Sequence, residues 1–150
     1  MPINIDGDRL TLNEFFRVAQ KKTRVELSEA AISKIKHSRK ILEKFIKSEK
    51  AYYGINTGFG ALATKKIDKK DLKTLQKNLI MSHTAGVGEF LSEEIVRGII
   101  LLRANVLAKG FSGVRLKLVQ LLLDLLNHHI IFFVIFQEVH LHFFKMLIIT

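Results

Sequence analysis

The chain has 150 residues, of which 48% are hydrophobic and 25% charged, a balance that is typical of a folded globular protein and excludes disordered and collagen-like chains. It contains no cysteine, which excludes disulfides, zinc–thiolate sites, iron–sulfur clusters and cysteine nucleophiles. The formal net charge is +10, but the lysines recur at helical spacing among acidic residues, which favours solvated helix faces over a nucleic-acid site.

The N-terminal segment predicts a β-hairpin. Ile3-Asn4-Ile5 alternates apolar and polar residues ahead of the turn-forming Asp6-Gly7-Asp8. Leu10 and Leu12 continue the alternation beyond the turn. We therefore expect a second, antiparallel strand there.

Five helices are predicted from capping residues and from apolar residues at helical spacing. Their predicted bounds, with an extended segment at 25–27 between the first two, are 12–21, 29–48, 68–83, 92–109 and 112–127. The predicted N-caps are Thr11, Ser28, Asp68, Ser92 and Ser112. The second helix has a predicted buried stripe of Ile32, Ile35, Ile41, Leu42, Phe45 and Ile46. The last helix is apolar on nearly all sides, as is typical of a helix inside a larger bundle.

Two glycine-rich segments are the candidates for chemistry. Residues 52–60 read Tyr-Tyr-Gly-Ile-Asn-Thr-Gly-Phe-Gly, and such a run predicts a loop. Tyr53 on that loop can act as an acid or base if its neighbours lower its pKa, although an isolated tyrosine more often packs beside a turn. His83 ends an apolar stripe beside the second segment, 85–88, where a lone histidine is more often a core residue.

Taken together, these segments resemble the aromatic amino acid ammonia-lyases. The blocks that carry the resemblance are 53–60, 75–80, 82–89, 96–97, 102–105 and 107–115. The resemblance covers about residues 1–127. Within the family, Ser82-His83 is most similar to histidine ammonia-lyase, since the phenylalanine enzymes usually carry an apolar pair there and the tyrosine enzymes histidine followed by leucine.

The resemblance implies a mainly α fold, namely the helix-rich N-terminal region of the ammonia-lyase and fumarase-like fold with short N-terminal strands. It also implies the elimination of ammonia from L-histidine to give trans-urocanate. Tyr53 matches the base that takes the β-proton, His83 matches a residue that positions the imidazole of the substrate, and Gly60 belongs to the loop that closes over the pocket. A cytoplasmic homotetramer without a metal, and without nucleic-acid or membrane partners, is the corresponding expectation.

The sequence departs from the family at its electrophile, a methylidene-imidazolone made autocatalytically from an internal Ala-Ser-Gly. The 150 residues contain no Ala-Ser-Gly, and Phe111-Ser112-Gly113 belongs to a different block. We therefore predict two segments: 1–127, which resembles histidine ammonia-lyase, and 128–150, an aberrant apolar tail. Our hypothesis is a shift of the reading frame near Gln137. A chain truncated before its electrophile is expected to be inactive alone and to self-associate or be unstable.

Three alternatives stay open at this point. The chain can belong to a tyrosine or phenylalanine ammonia-lyase, or it can be a basic helical module that binds nucleic acid or acidic partners with a steep salt dependence. The third alternative is a metal site built from the tail histidines, which are His128, His129, His140 and His142. Only Glu138 adds a carboxylate near them, so we favour the interpretation without a metal.

Overall fold

The computed structural model describes residues 1–58, 64–82 and 89–130. Within these ranges the chain forms two short strands and five helices, in the order β1 (Ile3–Ile5), α1 (Leu12–Ala19), β2 (Val25–Leu27), α2 (Glu29–Lys47), α3 (Lys69–Ser82), α4 (Glu93–Ala108) and α5 (Leu116–Asn127). The predicted mainly α fold with short N-terminal strands is confirmed.

The two strands pair in parallel, with Ile3 opposite Val25, and α1 forms the crossover between them. The predicted β-hairpin is therefore wrong, because Leu12 is the first residue of α1. The local cause is a capping box: the Thr11 side chain accepts a hydrogen bond from the Glu14 backbone N–H, and the Glu14 carboxylate accepts from the Thr11 N–H. The Thr11 N–H and hydroxyl both donate to the Glu14 carboxylate, and these two hydrogen bonds lower the pKa of Glu14.

The predicted start of the last helix is also wrong. Ser112 does not cap α5, which begins four residues later with Arg115 as its N-cap. Gly113 explains the delay, because it has φ +66° and lies against the Leu42 side chain of α2. The chain must complete this turn before it can enter a helix. By contrast, Ser28 and Ser92 occupy the N-cap positions as predicted, and α3 begins directly after Asp68. The Ser28 side chain accepts from the Ala31 N–H, whereas the Ser92 side chain makes no capping hydrogen bond.

The buried face of α2 is narrower than the predicted stripe. Ile35 and Leu42 are buried, whereas Ile41 and Phe45 are exposed. The Phe45 ring instead packs against the ring of Tyr52, with 4.6 Å between centroids. The predicted stripe therefore divides between the main core and a contact with the segment that follows α2.

Helix α4 is the centre of the core, since it packs against α1, α2 and α5, while α5 packs against β2. The buried apolar cluster joins all of these elements. No helix in the described ranges is long and apolar enough to cross a membrane.

Arg97 of α4 is buried among apolar side chains and ties three helices together. Its Nε and Nη2 donate to the Val18 carbonyl at 3.1 and 2.9 Å, and its Nη1 donates to the Leu126 carbonyl at 3.0 Å. Both acceptors belong to the last turn of a helix, where carbonyls lack partners within the helix. Burial lowers the pKa of this guanidinium. Arg97 therefore satisfies the ends of α1 and α5 from within α4.

The side-chain amides of two asparagines hydrogen-bond to both the N–H and the carbonyl of one residue, as the backbone of a neighbouring strand would. Asn127 accepts from the Val25 N–H and donates to the Val25 carbonyl, both at 2.9 Å. Asn105 does the same at Gly7, at 3.0 and 3.5 Å. Asn105 lies in the block 102–105 that carries the family resemblance, as Arg97 lies in 96–97, so part of that resemblance reflects the architecture of the core.

Gly110, which ends α4, provides a test of this packing. It has φ +78°, and a Cβ there would lie 2.5 Å from the Lys34 Cβ of α2. We expect Gly110→Ala to lower the free energy of unfolding by about 2–4 kcal/mol, through strain and overpacking together. The measurement is urea unfolding followed by circular dichroism.

Gly54→Ala is the matched control, because Gly54 has φ +72° but a Cβ there would meet no atom within 4 Å. It should cost only the backbone strain, about 1 kcal/mol. Equal losses for the two variants would contradict the packing of Gly110 against α2.

Candidate active site

The segment after α2 forms a turn that begins at Tyr52. The Tyr52 carbonyl accepts from the Ile55 and Asn56 N–H groups at 3.1 and 3.2 Å. Gly54 lies inside the turn at positive φ, a conformation that most residues adopt only at a cost. The predicted loop is therefore present over residues 52–58, and residues 59–60 lie outside the described residues.

Asn56 fixes this turn from inside. Its side chain is buried, its Nδ2 donates to the Lys50 carbonyl at 2.8 Å, and its Oδ1 accepts from the Tyr52 N–H at 2.7 Å. Its own carbonyl accepts from the Ile67 N–H at 2.9 Å. Sequence reasoning assigned Asn56 no role, although an asparagine between two glycines is a signal for side-chain bonding to local backbone.

The following residues join the turn to the segment that leads into α3. Thr57 forms an antiparallel bridge with Lys66, and the Gly58 N–H donates to the Lys65 carbonyl at 3.2 Å. Thr57 is buried, and its hydroxyl donates to the Gly58 carbonyl at 3.1 Å. The turn is thus held at both of its ends.

The two tyrosines of the turn have different environments. Tyr52 is half-buried, with its ring against Phe45. Tyr53 is 66% exposed. The turn therefore presents Tyr53 on its accessible side and uses Tyr52 to anchor it to the end of α2, and Tyr53 is the residue that the sequence predicts as the base.

Helix α3 lies between the two glycine-rich segments. Gln76 is buried in it, and among the described residues its Oε1 has no hydrogen-bond partner. Helix α3 is described as far as Ser82. The predicted substrate-binding residues His83 and Gly60 both lie outside the described residues. Their roles, and that of Tyr53 as the base, stay predictions.

A cleft of about 410 Å³ lies between the end of α2, the turn and the start of α3. Its apolar walls include Ile46, Ile67 and Leu72, and Asn56 forms part of its lining. Tyr53 does not line this cleft, so we assign the cleft no part in the predicted chemistry.

Neither a metal nor the family's electrophile finds a site among the described residues. No group of three or more His, Asp or Glu side chains in residues 1–58, 64–82 and 89–130 is placed to hold a metal ion. His140 and His142 of the predicted tail lie outside these ranges. The methylidene-imidazolone requires Ala-Ser-Gly, which the 150 residues do not contain, so no residue of this chain fits that group.

Comparison with known protein families shows to which family this chain belongs. The family described as aromatic amino acid lyase matches residues 10–137. The chain therefore belongs to the aromatic amino acid lyase family, and the predicted family is confirmed. The match runs beyond residue 127, and the division into 1–127 and 128–150 stays a prediction.

Within that family, the chain is similar to histidine ammonia-lyases. It is 51% identical over 127 residues to the histidine ammonia-lyase of Caldanaerobacter subterraneus subsp. tengcongensis, an alignment that covers 85% of this chain and 25% of that protein. The chain thus spans about a quarter of the length of the curated relatives that it matches.

Solved structures agree with the fold. The tyrosine aminomutase of Streptomyces globisporus superposes with a TM-score of 0.80 at 36% identity, over 86% of this chain and 24% of that one. The histidine ammonia-lyase of Trypanosoma cruzi superposes with a TM-score of 0.77 at 39% identity, over 85% of this chain and 25% of that one. The predicted N-terminal region of the ammonia-lyase fold is confirmed.

Proposed function

We propose that this chain forms the N-terminal part of a histidine ammonia-lyase, which converts L-histidine to trans-urocanate and ammonia. The observation that carries the proposal is the 51% identity over 127 residues to the Caldanaerobacter enzyme. Ser82-His83, the pair that resembles the histidine subfamily, supports the choice of substrate. The accessible ring of Tyr53 supports the chemistry, because a base must reach the substrate.

The reaction removes a proton from the β-carbon and ammonia from the α-carbon, and a carbon–carbon double bond forms between them. In our proposal the phenol oxygen of Tyr53 takes the proton, His83 contacts the imidazole of the substrate, and Gly60 belongs to the loop that closes the pocket. Asn56 is a positioning residue, since its buried side chain holds the turn that carries Tyr53. The family's electrophile would supply the polarisation of the substrate amine in the intact enzyme, and no residue of this chain is assigned to hold or form it.

The experiment joins residues 1–127 to the part of the Caldanaerobacter enzyme that follows the matched quarter. We expect this chimeric chain to form urocanate from L-histidine, which is measured as a rise in ultraviolet absorbance. The 150-residue chain alone should form none, because it contains no Ala-Ser-Gly. The added part without residues 1–127 is the control. Urocanate from the 150-residue chain alone, or none from a folded chimera, would contradict the proposal.

A second candidate is an enzyme that acts on tyrosine. It is favoured by the similarity in fold to a tyrosine aminomutase, which has a slightly higher TM-score than the histidine ammonia-lyase of Trypanosoma cruzi. L-Tyrosine and L-phenylalanine are therefore tested beside L-histidine on the same chimera. We also propose that the intact enzyme adopts the family's homotetramer, and the mass of the chimera in solution tests that point.

A further inference from the structure

Helix α4 is apolar on two opposite faces. One face is buried against α1, α2 and α5. The other carries Ile95, Ile99, Leu102 and Val106, whose spacing of four, three and four residues places them on one side of the helix. Ile95, Leu102 and Val106 are each about half-exposed, at 51%, 49% and 49%. We call these four residues the outer face of α4.

This pattern differs from the isolated exposed leucine that most proteins carry. The outer face extends over three turns, about 16 Å of helix, and none of its four positions is charged. A surface helix normally has polar residues opposite its buried face, whereas a helix that is apolar all round lies inside a larger core. A continuous apolar stripe of this kind marks an interaction surface.

We infer that the outer face of α4 is the docking surface for the remaining three-quarters of a lyase chain of this family. The relatives provide the argument for that occupant, because this chain spans only 25% of their length and folds as their N-terminal part. The surface belongs to the central helix of that quarter. An apolar, uncharged stripe three turns long suits a packed helix, which buries such a stripe along its length.

The inference requires membership of the family but no catalytic step, so it is separate from the proposed function. Two other occupants are conceivable: a second copy of this chain, and residues 131–150. Both are outcomes of the experiment below.

The test co-expresses the tagged 150-residue chain with the part of the Caldanaerobacter enzyme that follows the matched quarter, and measures co-purification and affinity. We expect the two polypeptides to purify together. Leu102→Glu and Val106→Lys should each weaken the complex by roughly 100-fold, because an unpaired charge would enter an apolar contact. Leu102→Met, which preserves the volume and the apolar character of the side chain, should keep the affinity of the parent chain.

Ser33→Glu is the matched control, since it adds the same charge at an exposed position of α2. It should leave the affinity unchanged. Both targeted side chains are half-exposed, so the variants should keep the helical circular dichroism of the parent. If Leu102→Glu loses that signal, Val106→Lys decides the question.

Four results would overturn the inference. The first is a parent chain that fails to bind the added part, and the second is full binding by a folded variant. The third is a parent chain that forms a dimer which Leu102→Glu dissociates, since the occupant is then a second copy. Full binding only after deletion of residues 131–150 would identify the tail as the occupant and would equally overturn it. Urocanate is not measured, so failure here leaves the proposed function standing.

Discussion

Replacing Tyr53 with phenylalanine in the chimeric enzyme is expected to lower kcat for urocanate formation by about 10³-fold, within the range found when a general base is removed. The substitution deletes only the phenol oxygen that takes the β-proton in our proposal. Because the Tyr53 side chain is mostly exposed on a turn held by Asn56, its loss should leave the fold intact. The measurement is the initial rate of urocanate formation at saturating L-histidine.

Tyr52→Phe is the matched control, since it makes the same chemical change one residue earlier. Tyr52 anchors the turn through its ring, which stays against Phe45 when the hydroxyl is removed. We expect kcat to stay within about threefold of the parent, a loss below 1 kcal/mol. Equal losses for both variants would indicate a role in folding, and full activity of Tyr53→Phe would exclude Tyr53 as the base.

Replacing Arg97 with leucine is expected to lower the free energy of unfolding by about 3–5 kcal/mol, since three charge-assisted hydrogen bonds disappear and two carbonyls lose their side-chain partner. The Val18 and Leu126 carbonyls would lie in the core beside an apolar side chain. A domain of this kind is stable by about 5–15 kcal/mol in total, so the loss is a large share. Urea unfolding of the 150-residue chain, followed by circular dichroism, measures it.

The variant Arg97→Lys separates the effect of the positive charge on stability from the effect of the hydrogen-bond geometry. A lysine keeps the positive charge but has one nitrogen, which cannot bond both carbonyls as the guanidinium fork does. We expect it to be nearly as destabilising as leucine. Arg115→Met, at an exposed arginine, should change the stability by less than about 0.5 kcal/mol. Native stability in Arg97→Leu would show that α1, α4 and α5 hold together without this arginine.

Local chemistry explains which parts of the fold the sequence predicts correctly. The cap at Ser28, the start of α4 after Ser92 and the stop at Gly110 depend on residues within one turn of the helix end, and all three are present in the structure, although the Ser92 side chain makes no capping hydrogen bond. The hairpin is wrong because the strand partner is set at long range. β1 pairs with β2, and Asn127, 102 positions away, binds the backbone of Val25.

Packing between distant residues explains the remaining errors. Ser112 has a good capping side chain, but Gly113 must turn against Leu42 of α2 before a helix can start. Phe45 fits the apolar spacing of α2, yet its ring contacts Tyr52 outside the main core. Periodicity reports the side of a helix on which a residue lies, and it carries no information on which neighbour covers that side.

The candidate site also combines features that local sequence determines with features that depend on distant parts of the chain. The loop at residues 52–58 follows from local turn chemistry, so the sequence alone indicates it. The sequence does not indicate which of its two tyrosines is exposed and which one packs. The roles of Asn56 and Arg97 depend on the backbone carbonyls that the fold brings to them. Resemblance to the family marks the block that contains each residue, but only the contacts distinguish a residue that holds the core from one that faces the substrate.

The most direct test of the central claim is the ratio of kcat/KM for L-histidine to that for L-tyrosine, measured on the chimera that carries residues 1–127. We predict that L-histidine is preferred by at least about 100-fold, since a pocket built to hydrogen-bond one polar side chain rejects another strongly. The Tyr53→Phe variant should lose that activity. A folded chimera that prefers L-tyrosine, or that deaminates neither amino acid, would contradict the assignment to histidine ammonia-lyase.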